Sequence, residues 1–200
     1  MPHFGRHTGY LRGIKKHNIY MEKLSKTFSD SLFWVIRNCN EFVLIFVAMS
    51  VIGALLAPLS DGHQEYIILA WNCTFMAASL YLLKIPLYLE SRKYAFLMTL
   101  CNMALVAFAA LHFLLGMMGY QFISNCTIST ILLVSISINV IPLIFPCLKR
   151  RRIIGFEGFA IVALFIGAVA CRVLTGNSFE FAGILVLDMT LALNISIQKN

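Results

Sequence analysis

Charge is what this chain has least of. Of its 200 residues, only 12% are Asp, Glu, Lys or Arg, about half the share a water-soluble domain carries. From Tyr94 to Leu148 there is no charged residue at all. A solvated surface is therefore excluded over most of the chain, and lipid must take its place. The patterns that carry chemistry are missing as well: H-E-x-x-H, a glycine-rich phosphate loop, paired carboxylates and a Ser–His–Asp arrangement are all absent. Each absence removes a class of enzyme that needs those groups at fixed spacing. The cysteines, Cys39, Cys73, Cys101, Cys126, Cys147 and Cys171, are scattered, with no C-x-x-C and no histidine at ligand spacing. That argues against a zinc site and against a disulfide framework. Neither metal nor other cofactor is expected, nor an enzyme.

What is present is apolar: 60% of the residues are hydrophobic and the mean hydropathy is +0.81. A helix needs about 20 mostly apolar residues to cross the hydrocarbon core, and six stretches qualify, at about 42–59, 66–83, 94–116, 126–147, 155–171 and 181–197. The long uncharged run divides at "GMMGYQFISN", residues 116–125, its one cluster of Gly and Asn, where a turn is expected. The fold class is all-α, since a lone lipid-facing strand leaves its backbone groups unsatisfied. Residues 1–30 read as a basic cytoplasmic segment and 31–200 as the membrane domain. The first apolar run begins after residue 30, too late for a cleavable signal peptide. The first span is expected to act as its own insertion signal, with Met21 as an alternative start.

Basic residues set the orientation. Threading six spans leaves fifteen of the sixteen Lys and Arg residues on one side and only Arg172 on the other. The positive-inside rule then predicts three hairpins with both ends in the cytosol. The cluster Lys149, Arg150, Arg151 and Arg152 is mainly a topology signal, with attraction to anionic lipid as a weaker addition. The net charge of +7 is thus spent on orientation, and nucleic acid is excluded as a partner. The location that fits best is the bacterial cytoplasmic membrane.

Inside the spans, Asp188 stands out, at the eighth of seventeen positions in "FAGILVLDMTLALNISI". An aspartate at mid-bilayer costs about 2.5–3.5 kcal/mol on the insertion scale, so it must face protein or a water-filled cavity. Its neighbours at helical spacing are Ile184, Leu185, Leu191 and Ala192, so any partner must come from another helix. Asn102 and His112 on the third span, which share a face with Leu105, Ala109 and Gly116, are candidate partners. Asn139 on the fourth span is another. Two readings stand side by side: a protonatable centre, or a carboxyl group that ties helices together. Arg172 and Glu180 flank the last outer loop, where they either pair or reach the headgroups. Ala160, Ala163, Gly167 and Ala170 line one side of the fifth span. Small residues at this spacing allow close helix approach, within the chain or toward a partner. "NCT" at 72–74 and 125–127 and "IPL" at 85–87 and 141–143 raise the question of a duplicated hairpin.

Two functions of different class fit these features. One is non-enzymatic recognition of another membrane or membrane-inserting protein, of the type of immunity proteins against pore-formers or conjugative exclusion proteins. The other is a small transporter, or a subunit of one, built around Asp188. Expected partners are the bilayer and a second membrane protein or a second copy of the chain.

Overall fold

Each long apolar run of the sequence is an α-helix in the computed structural model, which describes residues 38–59, 63–89, 91–144 and 156–199. Helix α1 covers 38–56 and tightens into a 3-10 turn at Ala57–Leu59. Then come α2 (His63–Leu82), a 3-10 turn at Ile85–Tyr88, α3 (Arg92–Met117), α4 (Asn125–Ile144), α5 (Phe156–Gly176) and α6 (Glu180–Lys199). Among the described residues there is no strand. Six helices are long and apolar enough to cross a membrane, which points to an integral membrane protein. The segment 1–30 and the cluster Lys149–Arg152 lie outside the described residues.

Two turns show why the helices stop where they do. At the end of α3, Tyr120 N–H donates to Leu115 O (2.9 Å) and Gly119 N–H to Gly116 O (3.0 Å). Gly119 has φ +82°, the left-handed residue that closes a Schellman motif. At the end of α5 the same closure recurs, with Phe179 N–H on Leu174 O (2.9 Å) and Ser178 at φ 66°. Helix α5 therefore runs on through Arg172 to Gly176, past the expected end at Cys171. A single basic residue interrupts hydropathy but does not stop a helix, because its long side chain can carry the charge aside.

Helix α2 forms the middle of the bundle. Helices α3, α4 and α6 pack on it, and Ser50 of α1 donates to its Ala70 carbonyl (3.1 Å). Trp71, Phe75, Tyr81 and Leu82 of α2 are among the largest fully buried side chains. Helix α4 adds the stripe Ile128, Leu132, Ile136 and Leu143, and α6 adds Ile184, Leu187, Leu191 and Ile195. Both stripes follow the i, i+3/i+4 spacing that keeps one helix face inward. The hairpin α5–α6 is knitted by small residues. A Cβ on Gly167 would lie 2.6 Å from Thr190, and one on Gly183 3.0 Å from the Cys171 carbonyl. The small face of α5 thus packs within the chain, where Ala160 and Gly167 are buried against α6 and Ala163 and Ala170 are half-buried.

The repeated triplets do not occupy equivalent places. "NCT" 72–74 lies well inside α2, whereas 125–127 opens α4; "IPL" 85–87 is a 3-10 turn, whereas 141–143 is α-helical.

Candidate functional site

Helix length sets depth. Thr74 lies ten residues into the span Gln64–Tyr88 and Asp188 eight residues into Glu180–Ile197. At about 1.5 Å per residue, each is roughly 12–15 Å from its end, close to the middle of a bilayer core. There the two meet. Thr74 Oγ1 donates to Asp188, at 3.1 Å from Oδ1 and 3.3 Å from Oδ2. Ser50 Oγ lies 2.6 Å from Thr74 Oγ1, and Ser50 also hydrogen-bonds the carboxyl group. Asp188, Thr74 and Ser50 are all fully buried. One carboxyl and two hydroxyls therefore join α1, α2 and α6 at a single level. Hydroxyls are suited to this position because each can donate or accept as its neighbour requires.

Asn102 and Asn139, read from the sequence as possible partners for Asp188, are instead partners of each other. Asn102 Nδ2 donates to Asn139 Oδ1 (2.7 Å) and Asn139 Nδ2 to Asn102 Oδ1 (2.9 Å). Their remaining protons go to carbonyls, Asn102 to Leu82 (2.7 Å) and Asn139 to Ser135 (2.8 Å). This amide pair ties α3 to α4 and to the end of α2. A third tie joins Tyr81 Oη to Asn194 Oδ1 (3.1 Å), while Asn194 Nδ2 reaches the Ala160 carbonyl on α5 (2.8 Å).

His112 belongs to none of these. It is fully buried between Phe75, edge-on at 6.0 Å, and Phe122, tilted at 5.1 Å. Neither ring nitrogen has a hydrogen-bond partner in the protein. Arg172 and Glu180 do not pair with each other: Arg172 Nε donates to Thr130 Oγ1 (2.8 Å), and Glu180 Oε2 accepts from Asn125 Nδ2 (2.7 Å). Both bonds end on α4, so the outer end of the α5–α6 hairpin is fastened to its neighbour.

Sequence reasoning missed Thr74 and Ser50. The available signal was depth: each is a hydroxyl near the midpoint of its span, level with Asp188. Among the described residues no group of three or more His, Cys, Asp or Glu could hold a metal ion. Chemically, the arrangement can hold helices in register and can offer a sheltered carboxyl group, but it gathers no nucleophile and base. No protein-family model, curated protein or solved structure matches the chain.

Proposed function

We propose that the chain is a six-span integral membrane protein with both ends in the cytosol, acting without catalysis by recognising another membrane or membrane-inserting protein. Bacterial immunity proteins against pore-formers and conjugative exclusion proteins are of this type, and the bacterial cytoplasmic membrane is the assigned location. The basic residues support the topology, fifteen of sixteen falling on one side. One observation carries the functional reading. The polar groups at Asp188, Asn102–Asn139 and Tyr81–Asn194 are used to tie the protein's own helices, in three separate places, and do not converge on a cavity.

Helix α3 supplies the surface that the reading needs. Leu97, Leu100, Cys101, Ala104, Ala107 and Leu111 are all exposed on it, and small residues such as these let a second helix approach closely. A photo-crosslinking side chain at Ala104, in native membranes, is expected to give a discrete adduct with a different membrane protein. Adducts with lipid alone would refute the reading. A reporter fused after Asn200 tests the topology by its activity in the cytosol.

A transporter is the second reading, favoured by the convergence of α1, α2 and α6 on Asp188. The substitution Asp188→Asn separates the two. Proton-coupled transport is lost in the inserted variant, whereas recognition persists because the amide still hydrogen-bonds Thr74.

A further inference from the structure

Buried hydrogen-bonding groups are paired in most of the bundle and unpaired in one region. Among the described residues, the buried side-chain polar atoms without a partner belong to Trp71, Asn72 and His112. Asn72 is on α2 and is only 3% exposed. His112 lies one helical turn from Gly116 on α3. These groups mark the same end of the α2–α3 hairpin, and a cavity of about 420 Å³ opens there, a size in the ordinary range for small-molecule sites. A buried carbonyl oxygen left without a donor costs about 1–3 kcal/mol, so a polar atom facing such a cavity is a place for a ligand's donor.

The lining has a direction. Glu65 stands exposed at the mouth, Leu69 and Met117 form apolar walls, and Asn72 and Gly116 lie deeper. Glu65 and Asn72 are seven residues apart on one helix, so they share a face and are separated by about 10 Å along its axis. Gly116 keeps the deep end open, since a Cβ there would sit 2.1 Å from Asn72 Nδ2. Gln121 on the rim is already tied to Asn125 (2.8 Å). Among the described residues Glu65 has no ion-pair partner.

The geometry points to a binding site for a small, elongated organic cation, with its ammonium group at Glu65 and a neutral hydrogen-bond donor at Asn72. The carboxylate at the mouth excludes an anion. A single carboxylate is too few for a divalent ion, which takes several oxygen ligands. The apolar stretch between the polar ends calls for a hydrocarbon linker. With the charge at the mouth, the cation stays near water and escapes the desolvation cost of deep burial. The site is independent of whether the chain recognises a partner or transports a solute.

The test is titration calorimetry of the full chain in a non-ionic detergent with 6-amino-1-hexanol, whose extended length is close to the separation of the two polar ends. Hexylamine lacks the distal donor and 1,6-hexanediol lacks the charge. The amino alcohol is expected to bind about tenfold tighter than either control, a difference of about 1.4 kcal/mol. Glu65→Gln, at an exposed position that does not affect folding, reduces its affinity to that of the diol, and Gly116→Ala closes the site to all three. Equal binding of diol and amino alcohol, or an unchanged affinity in Glu65→Gln, would overturn the proposal.

Discussion

Helices α2 and α3 are neighbours in one hairpin and opposites in environment. The apolar window of α2 is 72% buried inside the protein and that of α3 only 17%. Yet α2 is the less hydrophobic, with a mean hydropathy of 1.6 against 2.0. In a water-soluble protein the more apolar helix would be expected at the centre. Here polarity decides the opposite way. Asn72, Thr74, Ser79 and Tyr81 all lie on α2, all buried, and they point to different neighbours: Ser50 and Asp188 in one direction, Asn194 in another. A helix with polar groups on several sides must be enclosed on several sides if lipid surrounds the bundle, because hydrocarbon offers no hydrogen-bond partners. Helix α3 keeps its buried polar residues, Asn102 and His112, on one face, and the rest of it can face lipid.

The largest test of this contrast removes a ring from each helix. Phe75 on α2 is fully buried and edge-on to Phe108 at 6.0 Å, whereas Phe96 on α3 is 73% exposed. Phe75→Ala is expected to cost about 3–5 kcal/mol, and Phe96→Ala less than about 0.5 kcal/mol. Unfolding titrations in mixed micelles, followed by helical circular dichroism, measure both. Similar losses from the two would mean that α3 is covered in the folded protein.

A second test adds bulk to small residues. Gly167→Val forces α5 away from Thr190 on α6 and is expected to cost about 1–3 kcal/mol through overpacking. The same enlargement at Ala104, on the outward face of α3, should leave stability unchanged while weakening the crosslink to a partner. If Ala104→Val destabilises the isolated protein, that face packs on a second copy rather than on a different protein.

Third in size is the amide pair. Asn139→Leu leaves Asn102 Oδ1 without its donor, although Asn102 keeps its bond to Leu82 O. The expected loss is about 1 kcal/mol, in line with interhelical hydrogen bonds that average about 0.6 and reach about 1.7 kcal/mol in membranes. The double variant with Asn102→Leu should cost less than the two single changes summed, because no amide is then left unpaired. The pair also shows how much could be read beforehand. Six apolar runs, the turn at Gly119 and the small face of α5 are all visible in the sequence, since each depends on residues close together in the chain. The position of Asp188 along its span is visible for the same reason. Its partners are not, because they depend on which helices surround α2, and nothing local encodes that order. Asn102, Asn139 and Asp188 are all polar residues inside spans, but only the packing of α4 and α6 on different sides of α2 divides them into separate ties. The same limit hid the α2–α3 cavity, whose walls come from residues about 50 apart in the chain.

The smallest expected effect compares the ends of two helices. Gly119 closes α3 and Ser178 closes α5 by the same pattern of hydrogen bonds, both with positive φ. A left-handed conformation costs a residue with a Cβ about 1–2 kcal/mol, and glycine avoids that cost but loses more entropy on folding, about 0.5–1 kcal/mol. Ser178→Gly should therefore stabilise the protein by about 0.5 kcal/mol, and Gly119→Ser should destabilise it by a similar amount. Neither change touches the packing of α2, so both should leave the difference between Phe75→Ala and Phe96→Ala as it is. If Ser178→Gly instead destabilises, the serine hydroxyl contributes more to the outer turn than its backbone conformation costs, and the fastening of α5–α6 to α4 through Arg172 and Glu180 is the place to look for its partner.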